Sequence, residues 1–316
     1  MSNREPPPQP RRAAPADEGA RRVRAAGTAV AAVLVLAALA AASSLLGGGG
    51  SRVATVTAPT MSVTAGIDLP LGVDVGAGAW QLPTRTLPDL PDPDPDSELY
   101  PAQTAALNAL PVISLTGCPA PARVSSRAAW KRAVRAQWHC LQEAWAPVLA
   151  GYGLGVTEPA VSFYDGNGAD SACGWIDAPA FYCSAGDGSA HFGTGHFQMA
   201  KYWDLSVNEM VNHEYAHHLQ SLFGITAVKV AASGGAELDR RAELQATCLS
   251  AALTINNEAV DFGVEEYEGW MQRLGTMLSD DIHGSQDSLL DWGARGLYAT
   301  TYQACNTWVA APSAVG

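Results

Sequence analysis

The sequence predicts an α+β domain, a small mixed sheet packed on a mainly helical half, over residues 105–309 of a 316-residue chain. Three stretches carry that expectation. "SSRAAWKRAVRAQWHCLQEAWAPVLAGYG" repeats apolar residues at helical spacing (Trp130, Val134, Trp138, Leu141, Trp145), with Ser126 placed to cap it and Gly151 near its end. "PAVSFYD" (159–165) alternates and is β-branched or aromatic, as a strand should be. "APAFYCSAGDGSAHFGTGHF" has short apolar pieces broken by Gly, which suits small strands and turns, and from Ser206 onward the pattern is helical in three or four pieces. A small sheet packed against a helical half belongs to the α+β class.

Ahead of that domain the chain divides by composition. Residues 1–24 are rich in Pro, Ala and charge and show no periodicity, so they read as a disordered tail. Residues 25–46, "AAGTAVAAVLVLAALAAASSLL", carry no charge over 22 positions, and about 20 helical residues cross a bilayer core. Arg21, Arg22 and Arg24 directly precede this segment. They predict a single-pass anchor with a cytoplasmic N-terminus and an extracytoplasmic domain. A cleaved signal peptide, with "AAASS" as cleavage region, is the competing reading and exports the domain in the same direction. Residues 47–104 run from "GGGGS" to "LPDLPDPDPDSELYPAQT", with seven acids against two Arg, and are expected to form an extended, PPII-like linker. Residues 310–316 are expected to form a short tail.

The net charge of −12 is unevenly spread: residues 1–24 carry six Arg and three acids, which leaves the rest of the chain at −15. So acidic a surface argues against nucleic acid as a partner. All six cysteines (118, 140, 173, 183, 248, 305) follow the hydrophobic segment. An even number in an exported domain predicts three disulfides, although six cysteines allow 15 pairings.

The stretch "SVNEMVNHEYAHHLQSLFG" (206–224) opens with a capping-box pattern, Ser206 and Glu209, and ends on Gly224. Val207, Val211, Tyr215, Leu219 and Leu222 form its apolar stripe. At about 100° per residue, His213 lies about 200° from Val211, so His213 and His217 point together away from the core. HExxH on a helix has a chemical reason for its spacing. Two neutral imidazoles one turn apart can take two corners of a tetrahedral zinc site, with the intervening Glu214 beside the corner where water sits. Zinc lowers the pKa of such a water towards about 7, and a neighbouring carboxylate can take its proton as it attacks a carbonyl. A metzincin site would need Gly at 220 and His at 223, but Gln220 and Phe223 stand there. The next helical pattern, "GGAELDRRAELQATCLSAAL" (234–253), offers Glu237, Asp239 and Glu243 as third ligand. Glu243, 26 residues after His217, would complete a His, His, Glu plus water set. The other two lie nearer the helix start, where the dipole alone favours acids.

"NHEYAHHLQ" followed by "RRAELQATC" resembles the neutral zinc metallopeptidases of bacterial envelopes, whose pattern is HEYGHHxQ and then ELQADC. "CGWIDAPAFYC" is similar to the short Cys-to-Cys segment of that family, and "HGSQDSLLDWGARGLYATTYQACNTW" to its closing stretch. The likeness spans about 105–309. It implies a zincin-like fold and a Zn2+ cofactor held by His213, His217 and Glu243, with Glu214 as catalytic acid/base and a peptide or protein substrate. Within this frame the cysteines pair as Cys118–Cys140, Cys173–Cys183 and Cys248–Cys305. His283, in "DDIHGS", is placed either to donate to the oxyanion formed during hydrolysis or to serve as a loop-capping, structural histidine. His218 points about 100° from His217 and is expected to pack or hydrogen-bond. His191 and His196 lie where an edge strand could hold an extended peptide, but both read first as plain surface histidines, and His139 reads as structural. Thr247 stands where the family has Asp, one turn after Glu243, and the basic residue expected after "HGS" is missing. Those departures motivate an alternative: a weakened or inactive zinc-binding scaffold of the cell envelope. The spacing says nothing of oligomeric state.

Overall fold

The structure, a computed structural model, describes residues 80–316. The expected tail 1–24, the membrane segment 25–46 and linker residues 47–79 lie outside it. Among the described residues no helix is long and apolar enough to cross a membrane.

Two short helices, α1 (Tyr100–Gln103) and α2 (Ala106–Ala109), precede the long α3 (Arg127–Gly151). Ser126 starts α3 as expected, its Oγ accepting from the Ala129 amide at 3.2 Å. The apolar stripe read from sequence is the buried one: Trp130, Val134, Trp138, Leu141 and Trp145 are all shielded from solvent. Burying one side chain of Leu size contributes about 1.5–3 kcal/mol, so this stripe anchors the sheet to the helices.

Five short strands follow: β1 (Ala160–Tyr164), β2 (Gly168–Ser171), β3 (Gly174–Asp177), β4 (Ala180–Cys183) and β5 (Ser189–Gly193). β5 is central in a mixed sheet of order β1-β5-β4, parallel to β1 (Phe163 opposite Phe192) and antiparallel to β4 (Phe181 opposite His191). β4 is therefore an edge strand, and β2 and β3 form a separate hairpin. The Gly-broken stretch after β5 is a helix, α4 (Thr194–Ala200), rather than further strand and turn. His196, Phe197 and Ala200 turn one face into the core around Trp130, a periodicity too short to register from sequence.

The helical half has five helices: α5 (Ser206–Leu222), α6 (Ile225–Ala231), α7 (Ala236–Ile255), α8 (Val264–Leu274) and α9 (Gln286–Leu297). α7 lies between α5 and α9. At Gly296 a Cβ would overlap the Cys248 carbonyl, so only glycine permits this close approach of α9 to α7. Gly224, at φ +81°, breaks the chain between α5 and α6 as its position suggested. The capping box does not form. Leu205 occupies the N-cap in a helical conformation, the Ser206 hydroxyl is buried without a partner among the described residues, and Glu209 is drawn instead to Arg273.

The three disulfides are Cys118–Cys140, Cys173–Cys183 and Cys248–Cys305, the pairs implied by the family likeness. The described parts of the expected linker and tail both make contacts with the domain. Residues 80–99 contain no helix or strand, but they lie along the domain. Trp80 packs on Phe262 and Tyr267, Arg85 pairs with Asp291 at 2.6 Å, and the Pro83 and Pro88 carbonyls accept from Tyr298 and Arg295. Proline-rich chain has few amides of its own to satisfy, so its carbonyls are available to neighbouring side chains. The C-terminal stretch is pinned likewise: Val315 is buried, and the carbonyls of Ala314, Val315 and Gly316 accept from Trp292, Arg240 and Ser288.

Candidate metal centre

α5 buries Val207, Val211, Tyr215 and Leu219 against the core and turns His213 and His217 to the opposite side, towards α7. The three carboxylates of α7 separate there. Glu237 is held by Arg241 at 2.8 Å and Asp239 by Lys229 at 2.8 Å. Glu243 alone faces the imidazoles: its Oε2 lies 3.1 Å from His213 Nε2 and 3.3 Å from His217 Nε2, and the two Nε2 atoms are 3.2 Å apart.

Those three distances form a nearly equilateral triangle. A tetrahedral site with metal–ligand bonds of about 2.0–2.1 Å has edges of about 3.3 Å, the bond length multiplied by about 1.63. The donor set therefore fits one face of a zinc tetrahedron, leaving one corner open. Among the described residues this is the one group of His, Cys, Asp and Glu with ligand atoms close enough to share an ion. With every cysteine in a disulfide, thiolate ligation is excluded.

The charges are consistent with a cation at this point. Burial would hold His217 low, but the Glu243 carboxylate, by charge and hydrogen bond, raises its pKa to about 9. Glu243 is driven the other way: burial opposes ionisation, yet both imidazoles keep it well below the usual carboxylate range. Glu214 is buried and lines the adjoining cleft. Its carboxylate makes no hydrogen bond to the described residues. Burial raises its pKa against the pull of His213 and His217.

Sequence reading missed what holds the imidazoles. His217 Nδ1 is 2.8 Å from Gln220 Oε1. Gln220 Nε2 in turn donates to the Ala242 carbonyl and to Gln245 Oε1, which also accepts from Trp308. As Gln220 Oε1 can only accept, His217 carries its proton on Nδ1 and presents Nε2 to the metal point. The sequence signal was twofold: Gln220 is the last residue of the HEYGHHxQ pattern, and it lies three residues after His217, hence on the same face. Thr247 does not reach the site at all; its Oγ1 donates to the carbonyl of Glu243.

The remaining histidines sort by environment. His218 is buried with Nδ1 2.9 Å from the Tyr182 hydroxyl, and burial lowers its pKa to about 4. His196 is enclosed between the Trp130 indole and the Ser206 carbonyl, and His139 pairs with Glu158. His191 sits on the central strand between the Ser162 and Ser189 hydroxyls. Neither His191 nor His196 is on the edge strand, and His196 is fully buried rather than the surface histidine expected, because its short helix turns it into the core. His283 does line the cleft, with Nδ1 2.9 Å from Asp280 Oδ1. The cleft, of about 550 Å3, runs along β4 and past the metal triangle, with Phe181, Met210, Ile225 and Met277 among its walls.

The chain is 33% identical over 113 residues to a protein of Mycobacterium tuberculosis (strain H37Rv) described as uncharacterized, an alignment covering 33% of this chain and 36% of the relative. A protein of Mycobacterium bovis with the same description matches to the same extent. The chain thus spans about a third of the length of these relatives. No protein-family profile matches it, and no solved structure is significantly similar.

Proposed function

We propose that the chain is a zinc-dependent peptidase of zincin-like architecture, anchored through residues 25–46 with its domain outside the cytoplasm. The observation that carries this reading is the triangle of His213, His217 and Glu243 at zinc-site spacing, beside a buried carboxylate on a cleft. The motif likeness to neutral zinc metallopeptidases supports the same reading. A zinc ion held there supplies Lewis acidity, acidifying a water and polarising a carbonyl. The chain's own groups do the rest. Glu214, without a competing hydrogen bond, takes the proton from the attacking water and passes it to the leaving amine. β4 exposes an unpaired edge along the cleft, where an extended peptide backbone can add as a further strand. His283, its Nδ1 2.9 Å from Asp280 Oδ1, lines the cleft and is the donor this reading assigns to the oxygen that gains charge.

The test is zinc stoichiometry followed by peptide cleavage with wild type and Glu214→Gln. One zinc per chain in both proteins, with cleavage lost about 10²–10⁴-fold in the variant, is the expected result. Equal cleavage by both ends the assignment of Glu214. Zinc retained with no cleavage by either protein favours the scaffold alternative, which Thr247 and the altered closing stretch motivate. Against that alternative stands the ligand count, since structural zinc takes four protein ligands and the described residues bring three together.

A further inference from the structure

We propose that Arg273 forms a carboxylate-binding subsite in this cleft, so that the preferred peptide carries a carboxylate one or two residues from the scissile bond. The inference rests on the peptidase reading and names its substrate class.

Two basic side chains line the cleft, Lys229 and Arg273. Lys229 is spoken for by Asp239 at 2.8 Å. Arg273, in the last turn of α8, is not. Its Nη2 lies 3.3 Å from Glu209 Oε1, its Nε is buried without a partner, and Nη1 makes no hydrogen bond to any described residue. A guanidinium offers five N–H donors in a fixed fork, and one contact of that length leaves most of them unused. Its side chain is 19% exposed, and it lines the cleft.

Position gives the site its register. Glu209, His213 and His217 are spaced four apart on α5 and share one face. Glu209 is therefore about 6 Å along the helix axis from His213, at about 1.5 Å per residue. Extended peptide advances about 3.3–3.6 Å per residue, so a group on Arg273 belongs to a substrate residue one or two places from the bond held at the metal triangle. Glu209 Oε1 holds one arm of the guanidinium, and Glu209 Oε2 is buried without a partner among the described residues. The planar partner that matches a guanidinium fork is a carboxylate, and its charge-assisted bonds strengthen where water is excluded. Of the carboxylates that line the cleft (Asp177, Glu209, Glu214, Glu243), Glu209 alone pairs with this cation among the described residues. The substrate carboxylate is either a free peptide C-terminus or an Asp or Glu side chain.

The experiment measures binding rather than turnover, using the zinc-loaded full chain in a Glu214→Gln background. Three fluorescent hexapeptides of one apolar sequence serve as probes: one amidated and neutral, one with a free C-terminal carboxylate, one amidated with an internal Glu. One of the two carboxylate peptides is expected to bind at least about tenfold tighter than the neutral one, and which of them does so names the source. The gain should fall below about twofold in Arg273→Met and be partly retained in Arg273→Lys. Because Arg273→Met leaves Glu209 buried alone, the pair Arg273→Met/Glu209→Gln is measured beside it, with the same loss expected. Equal binding of all three peptides by wild-type Arg273, or a gain that survives in the double variant, overturns the subsite while leaving the peptidase reading standing. Failure of every peptide to bind overturns both.

Discussion

Replacing Gln220 by Ala separates what aims the imidazoles from what merely packs near them. The side chain makes three hydrogen bonds: 2.8 Å to His217 Nδ1, 2.8 Å to the Ala242 carbonyl and 3.0 Å to Gln245 Oε1. Two of these tie α5 to α7. At about 0.5–1.5 kcal/mol each, their loss costs about 1–3 kcal/mol of fold stability. The cost lies towards the low end, because Gln245 Oε1 keeps the Trp308 indole as donor. The third bond fixes the tautomer and ring orientation of His217, and losing such a partner weakens metal binding about 10–100-fold, or about 1.4–2.7 kcal/mol. Competition against a chromogenic chelator, on folded full-length protein, reads that loss directly. Thr247→Val is the contrast: its hydroxyl serves only the Glu243 carbonyl, so zinc affinity should move by less than about threefold. Wild-type affinity in Gln220→Ala, or an equal weakening in Thr247→Val, would refute the reasoning.

Further outcomes follow from the same geometry. Without metal, the folded His217 keeps its proton up to about pH 9, against 6.5 for an unperturbed imidazole. That proton stabilises the metal-free fold fully below pH 6.5, and the contribution is lost as pH rises through about 9. Zinc must displace it, so zinc affinity should rise about tenfold per pH unit between these limits and then level off; a flat profile in competition titrations contradicts this. The Cys248–Cys305 bridge closes a separation of 57 residues. By loop closure its removal in Cys248→Ala/Cys305→Ala should cost about 4 kcal/mol in denaturant unfolding, and a loss below about 1 kcal/mol would mean other contacts hold α7 in place. Trp80→Ala should lower stability by about 1–3 kcal/mol without changing zinc affinity, since Trp80 packs on Phe262 and Tyr267, away from the triangle; an unchanged unfolding midpoint would show that the strap adds nothing to the fold.

Local periodicity explains what could be read ahead of the structure. Spacing of four on one helix put His213 and His217 together, and the same wheel put Val211 and Tyr215 in the core. Ser126 and Gly224 marked helix ends because capping is a local chemistry. Glu243 needed more than spacing, because its rivals are removed by partners elsewhere, Glu237 by Arg241 and Asp239 by Lys229. Long-range pairings stayed hidden for the same reason. Nothing in "SVNE" says that Glu209 abandons the cap for an arginine 64 residues later, and nothing near Gln220 announces Gln245. The contacts of the linker stayed hidden because Pro and Asp describe a chain without regular structure, and such a chain can still lie against a domain that supplies donors for its carbonyls.

The central claim is that two imidazole nitrogens and one distant carboxylate oxygen meet at a point sized for zinc. X-ray absorption at the zinc edge of the loaded full chain tests it most directly. The account predicts one zinc per chain with a first shell of two imidazoles and oxygen at about 2.0–2.2 Å, and one oxygen ligand fewer or no bound metal in Glu243→Ala. A sulfur scatterer, a third imidazole, or an unchanged shell in Glu243→Ala would contradict it.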